Sequence, residues 1–239
     1  MNTKRVLVTG ASSDIGLAVA RVYAAHGYTV LAHHRSDRDA LSAFLKEHPE
    51  STALKLDFAD TGALERAIDE HSATLRECSV LVHAAALLEP VPFEKLNAAV
   101  LLRAYAVNTV PAVLLTRLMA PAMSQRKWGR IVHLTSIGAK FGGGASTLAY
   151  SLSKQALELL PTAGRRWAAS NVLVNALRVG VTDTRMHRHE PDKDMAKRVA
   201  QIPAGRMASS EEIARAVYWL GSEENGFVTG ETVSAAGGE

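Results

Sequence analysis

A short apolar run, Arg5-Val6-Leu7-Val8-Thr9, passes without a spacer into Gly10-Ala11-Ser12-Ser13-Asp14-Ile15-Gly16 and from there into a helical pattern. A buried strand that ends in a tight glycine turn and continues as a helix is carried back across a sheet, so the next strand returns parallel to the first. The rest of the chain repeats that alternation. Strands are predicted at Arg5 to Thr9, Thr29 to His33, Ala53 to Leu56, Val80 to His83, Arg130 to Thr135, Val172 to Leu177 and Thr232 to Ser234. Helices are predicted at Ile15 to His26, Arg38 to Glu47, Gly62 to Leu75, Ala98 to Met123, Ala149 to Ala169 and Ser210 to Gly221. The fold class that follows is α/β, one doubly wound domain over 1–239 with a seven-stranded parallel sheet flanked by helices. A length of 239 residues and 47% hydrophobic content suffice for its core.

The first turn has the chemistry of a nucleotide site. Glycine allows the bend and close backbone approach, and the helix opening near Ile15 offers unpaired N–H groups and a positive dipole end to a pyrophosphate. In such folds the end of the second strand meets the adenosine ribose. Here that place holds His33, His34, Arg35 and Ser36. A carboxylate would bind a free 2′-hydroxyl and repel a 2′-phosphate; a guanidinium and two imidazoles suit the phosphate. NADP is preferred on this reading, with NAD as the alternative and Asp37 nearby.

Tyr150 and Lys154 lie one helical turn apart, fourteen residues after Ser136, which follows the run Arg130-Ile131-Val132-His133-Leu134. Residues four apart share a helix face, so the ammonium can favour the ionised phenol and bring it into use as an acid and base near neutrality. Hydride arriving at a carbonyl carbon leaves charge on oxygen, and two fixed hydroxyl donors stabilise that charge.

In this order of motifs the chain resembles the classical short-chain dehydrogenase/reductases, closest in type to 3-oxoacyl-carrier-protein reductases, over essentially all 239 residues. The resemblance implies a Rossmann-type fold and gives the catalytic set as Asn108, Ser136, Tyr150 and Lys154. Tyr150 donates a proton to the carbonyl oxygen, Ser136 holds that oxygen, Lys154 tunes the phenol and binds nicotinamide ribose, and Asn108 holds a water linking Lys154 to solvent. It implies cofactor contacts from Gly10, Ser12, Ser13, Asp14, Ile15, Gly16, His33, His34, Arg35, Ser36, Asp57, Ala84, Ala85, Tyr150, Lys154, Gly180, Thr182 and Thr184. An enoyl reductase is disfavoured, because that group puts six residues between Tyr and Lys where this chain has three. Departures from the pattern are Asp14 for a glycine, His83-Ala84-Ala85-Ala86 for Asn-Asn-Ala-Gly with loss of the asparagines' bracing bonds, and Val179 for a proline. Pro161 is expected to kink the helix a turn after Lys154. A lid over residues 184–208, rich in charge, is implied to set specificity. His187 and His189 within it are read as incidental, so no metal is expected. The family pairs its Asn108-type and Tyr150-type helices across a twofold axis, which implies a homo-oligomer, a tetramer.

The net charge of +3 is spread over 27 basic and 24 acidic side chains, without a basic stripe, so nucleic acid is not indicated as a partner. The single cysteine, Cys78, excludes an internal disulfide and fits a reducing compartment. With no apolar stretch expected to approach a membrane span of ~20 residues, a cytoplasmic enzyme is the expectation. Three functions stay open: an NADPH-dependent ketoreductase acting on a 3-oxoacyl thioester or similar carbonyl compound, an alcohol or sugar dehydrogenase working toward oxidation, and a non-catalytic nucleotide-binding relative. Lys127 suits recognition of a carrier protein, whereas Ser170 and Asn171 stand where a second basic contact would be expected.

Overall fold

The computed structural model describes residues 4–188 and 194–239. Seven parallel strands form one sheet: β1 (Arg5–Thr9), β2 (Thr29–His34), β3 (Thr52–Lys55), β4 (Val80–His83), β5 (Gly129–Ser136), β6 (Val172–Val179) and β7 (Thr232–Ala235), in the order β3-β2-β1-β4-β5-β6-β7. The helices in chain order are α1 (Asp14–Ala25), α2 (Asp39–Glu47), α3 (Thr61–Glu70), α4 (Ser72–Glu77), α5 (Ala98–Asn108), α6 (Val110–Gln125), α7 (Ile137–Phe141), α8 (Leu148–Ala156), α9 (Leu160–Gly164), α10 (Arg185–Arg188), α11 (Met195–Ala200) and α12 (Ser210–Leu220), with short 3-10 turns between some of them. Strand order reverses between β1 and β4, which opens a crevice at the strands' carboxyl ends.

The period of two along each strand divides the core. Val6, Val8, Val30, Val80, Val82 and Val132 pack with Val19 and Tyr23 of α1, Phe44 of α2 and Ile213 and Val217 of α12. The alternate residues Leu7, Leu31, Leu81 and Ile131 pack with Leu64 of α3 and Leu115, Met119 and Met123 of α6 on the other face. Such two-sided burial is why these strands read as continuous apolar runs.

Three predicted helices are broken, the first being Gly62 to Leu75, which divides at His71 into α3 and α4. Ala98 to Met123 divides at Thr109 into α5 and α6, with Pro111 in the first turn of α6. Proline fits a helix start, and its ring disfavours helical backbone just before it. Counted as one segment, Ala98–Gln125 is 28 residues long and apolar enough to cross a membrane by length and composition. That corrects the expectation of no such stretch, though α6 lies against the sheet and α5 against α8 and α6. Ala149 to Ala169 becomes α8, a 3-10 turn at Leu157–Leu159, α9, and a second 3-10 turn at Arg165–Ser170. Pro161 lacks the N–H that would bond the carbonyl of Leu157, so the kink falls about a turn beyond Lys154, as expected.

Candidate active site

A cleft of about 1070 Å³ runs along the carboxyl ends of the strands, and its walls include Gly10, Arg35, Asp57, Ala85, Ser136, Tyr150, Lys154, Gly180 and Thr184. It is large enough for a dinucleotide with a second molecule beside it, and its backbone is shaped for close approach. A side chain at Gly10, where φ is +69°, would place Cβ 2.8 Å from Ala85 Cα, and one at Gly16 would place it 2.2 Å from the Gly10 carbonyl oxygen. Ser13 caps α1: its Oγ accepts from Gly16 N–H at 3.0 Å.

Asp14 has another use. Its carboxylate accepts from Arg185 N–H at 2.7 Å and from Arg185 Nε at 2.8 Å, while Arg185 Nη2 also donates to the Ser12 carbonyl at 3.2 Å. A carboxylate beside a pyrophosphate turn would repel the ligand, and here that charge is matched by a guanidinium reaching across from the segment after Thr184. Arg185→Ala should weaken NADPH binding on the order of tenfold, the worth of a charge-assisted hydrogen bond. Asp14→Gly combined with Arg185→Ala should recover most of it; equal binding by the parent and both variants in fluorescence titration would refute the compensation.

At the end of β2, His33 is 3% exposed and stacks on Phe58 with ring centroids 3.8 Å apart. Its Nδ1 accepts from Gly10 N–H at 3.1 Å and its Nε2 donates to the Leu56 carbonyl at 3.0 Å. Burial lowers its pKa to about 4, so the ring is neutral at pH 7. His33 lines the cleft, as the sequence reading has it, but as a neutral ring whose nitrogens are committed to the Gly10 N–H and the Leu56 carbonyl. His34, also buried, lies outside the cleft wall, with Nδ1 near the Ser36 carbonyl and Asp37. Positive charge on this wall comes from Arg35 and from Arg38, which sequence reasoning treated only as a helix start. Asp37 is engaged by Lys55 and is not among the cleft residues. The carboxylate facing the adenine end is Asp57, whose Oδ1 accepts from Ala59 N–H at 2.9 Å.

Tyr150 and Lys154 project from α8, and Ser136 ends β5, where its Oγ accepts from Gly138 N–H at 3.1 Å and keeps its own proton to donate. Lys154 is 2% exposed, its Nζ donating to the Leu134 carbonyl at 2.8 Å and lying 3.5 Å from that of Ala85. Burial pulls its pKa down to about 7. The helix is held from behind: Glu158, in the 3-10 turn after α8, accepts from Thr135 Oγ1 at 3.1 Å and from Arg178 Nε and Nη2 at 2.9 and 2.6 Å. Sequence reasoning missed this brace between β5, β6 and the catalytic helix.

Asn108 is fully buried behind the cleft wall. Its Oδ1 accepts from Leu87 N–H at 2.6 Å, while Nδ2 donates to the Leu87 carbonyl at 3.0 Å and to Ser153 Oγ at 2.8 Å. The amide is therefore spent tying the loop after β4 to α8. The Asn108 backbone carbonyl accepts from His83 Nε2 at 3.1 Å, and His83 Nδ1 accepts from Thr9 Oγ1 at 3.0 Å. Thr9 Oγ1 in turn accepts from the N–H groups of Ala84 and Ala85, each at 3.1 Å. The bracing expected to be lost with the asparagines is supplied by His83 and Thr9. Gly16 is likewise absent from the wall, and its part is to let α1 approach the turn. Ser12, Ser13, Asp14, Ile15, Ser36, Ala84 and Thr182 do line it, with Thr182 Oγ1 donating to the Gly180 carbonyl at 3.1 Å. Lys127 is exposed before β5 and is not a cleft residue. Of the lid, Met186, Arg198 and Gln201 reach the cleft, whereas His189, Glu190, Asp192 and Lys193 lie outside the described residues. Among the described residues no group of three His, Cys, Asp or Glu side chains could hold a metal.

A family model described as Enoyl-(Acyl carrier protein) reductase matches residues 10–239. The chain belongs to the short-chain dehydrogenase/reductase family. Its relatives include an acetoacetyl-CoA reductase of Shinella zoogloeoides, 34% identical with 98% of this chain and 97% of the relative covered. The 3-oxoacyl-(acyl-carrier-protein) reductase of Escherichia coli (strain K12) is 30% identical over 98% of this chain and 96% of its own. A solved 3-oxoacyl (acyl-carrier-protein) reductase from Agrobacterium tumefaciens C58 with NADP bound superposes with a TM-score of 0.86 at 30% identity, covering 98% of this chain and 93% of that one. As in those proteins, the sheet here is a seven-stranded Rossmann type, and the chain is an NAD(P)-dependent oxidoreductase of the CH–OH/C=O class.

Proposed function

We propose that this chain is an NADPH-dependent ketoreductase that reduces a 3-oxoacyl thioester or a related ketone to a secondary alcohol. The observation that supports it most is the meeting of Ser136, Tyr150 and buried Lys154 on the wall of the cleft that begins at the Gly10 turn. The dinucleotide, when bound, supplies the hydride. The protein's part is to place two hydroxyls at the developing oxyanion: Ser136 holds the carbonyl oxygen by a hydrogen bond and Tyr150 gives it a proton. Lys154, desolvated and anchored on the Leu134 carbonyl, places its charge beside the phenol and favours proton release. Arg35 and Arg38 are assigned to the 2′-phosphate, with the N–H groups of the first turn of α1 at the pyrophosphate.

The test is loss of NADPH absorbance, with NADH in parallel, over 3-oxoacyl thioesters, β-ketoesters, diketones and sugars. NADPH is expected to be preferred by at least about tenfold, the worth of one charge-assisted contact, and Arg35→Ala to erase most of that preference. A strong NADH preference would overturn the assignment of Arg35. Absence of turnover with every carbonyl compound would overturn the reductase reading.

The same proposal places the enzyme in the cytosol as a homo-tetramer built on α5, α6 and the catalytic helix. Leu102, Val113, Leu152 and Leu159 on these elements and the turn after α8 are 70%, 42%, 37% and 71% exposed in the single chain, an apolar set that pairing would cover. Light scattering should give four times the chain mass, and Leu102→Asp a smaller species; a parent protein at the mass of one chain would refute it.

A further inference from the structure

The buried carboxylate of Glu239 is one feature of the cleft that the hydride and proton chemistry leaves unused. Its side chain is 7% exposed and belongs to the cleft wall together with Arg198 and Gln201. One oxygen is accounted for: Oε1 accepts from Arg198 Nη2, from α11, at 2.5 Å. The other, Oε2, is buried without a hydrogen-bond partner. A carboxylate oxygen taken out of water and given no donor carries a free-energy penalty, and on a side chain that lines a ligand cleft this penalty is relieved when the carboxylate turns to meet an N–H or O–H brought by a ligand. Arg198 cannot serve both oxygens in this geometry, since its recorded contact is with Oε1 alone.

We infer that Glu239 is a specificity-determining residue that accepts a hydrogen bond from a donor group of the substrate, an amide N–H or a hydroxyl, separate from the carbonyl being reduced. The inference rests on the ketoreductase reading above and adds a requirement to it. Arg198 holds the carboxylate in register and balances its charge, so the site selects a neutral donor and gains nothing from a further anion. Gln201, one turn on from Arg198, adds an amide to the same wall. Two substrate types carry the required group: a thioester whose thiol arm contains an amide, and a ketone bearing hydroxyls along its carbon chain. The chemistry is shared, and the experiment separates the sources.

Steady-state kinetics with NADPH would use two matched pairs. The first is the N-acetylcysteamine thioester of 3-oxobutanoate and its N-methylated analogue, in which a methyl group replaces the amide hydrogen. The second is ethyl 3-oxobutanoate and a series of its esters extended and hydroxylated at successive carbons. In the parent enzyme at least one donor-bearing member should exceed its matched partner by about tenfold or more in kcat/KM, a ratio in line with the loss of one hydrogen bond to a charged group. Glu239→Gln preserves size and keeps an oxygen for Arg198 while turning the Oε2 position into a donor. It should remove that advantage and leave kcat/KM for the donor-free compounds and the affinity for NADPH unchanged. Arg198→Met should lower the rate for both members of a pair while keeping part of the discrimination. Equal rates within every pair, or an advantage that survives Glu239→Gln, would overturn the inference. Turnover of the donor-free ketoesters shows that the ketoreductase reading itself stands, so the two failures are told apart.

Discussion

Tyr150→Phe is expected to lower kcat for carbonyl reduction by about 10²- to 10⁴-fold, the range contributed by a positioned general acid, while NADPH titrates as tightly as before. The change deletes one hydroxyl and leaves the ring, so the α8 turn and its anchors persist: Ser153 Oγ still donates to the Tyr150 carbonyl at 2.7 Å, and Thr109 Oγ1 to the Ser153 carbonyl at 2.9 Å. A loss confined to kcat at unchanged cofactor affinity identifies a group that acts in the transition state. Lys154→Met should lose as much rate and weaken NADPH binding besides, because it removes a buried cation that stands one helical turn from Tyr150 on the cleft wall. The pH dependence follows from the same burial. Lys154, drawn down to about 7, is charged below that pH and neutral above it, so its support for the phenol fades as pH rises through neutrality. The rate of reduction should therefore fall on the alkaline side of about pH 7, as the ammonium of Lys154 loses its proton. A Tyr150→Phe enzyme with the parent kcat would end the mechanism.

What the sequence made legible was local or periodic. The turn at Gly10 to Gly16, the four-residue spacing of Tyr150 and Lys154, and the seven apolar runs each depend on neighbours in the chain, and all form the predicted elements within a residue or two. The break at Thr109 was not read: the run Ala98 to Met123 holds two prolines, and only Pro111 stands at a helix start, whereas Pro121 lies inside α6. The direction and duty of the polar side chains were not readable. In a strand covered on both faces there is no polar alternation to say what a histidine bonds, and nothing in the residue type says that both nitrogens of His33 are committed to the Gly10 N–H and the Leu56 carbonyl. Arg185 meets Asp14 across 171 positions of sequence, and Glu158 joins Thr135 and Arg178 across 23 and 20. Arg130 reads as an ordinary strand start, yet it is 2% exposed, its guanidinium donating to the carbonyls of Gly129, Asn171, Ser222 and Asn225. Partners of that kind are fixed by topology, and a residue's type alone does not announce them.

Lowering the pH from 6.5 toward 4 is expected to unfold the chain steeply, because three imidazoles sit in the interior as neutral rings. His33, His83 and His133 are 3%, 0% and 0% exposed. Burial is the main cause of their lowered pKa values, with the charge of Lys154 adding to the effect at His83 and His133. His33 stands at about 4 and His133 at about 3, and His83 lies well below the usual value. In the unfolded chain all three titrate near ~6.5. The unfolded state therefore binds more protons throughout the window between the two sets of values. Stability is fully present above pH ~6.5 and is lost as pH falls toward the folded-state values, at about 1.4 kcal/mol per pH unit for each ring. Three rings together give about 4 kcal/mol per unit, against a total of about 5–15 kcal/mol for a typical domain. His133 isolates the effect, since its Nδ1 has no partner and its Nε2 has only a 3.5 Å contact with Thr116 Oγ1, so a leucine sacrifices little there. Urea midpoints between pH 4.5 and 7 should show His133→Leu reducing the pH slope by about a third. A slope identical to the parent would mean that the buried ring at 133 already carries its proton in the fold.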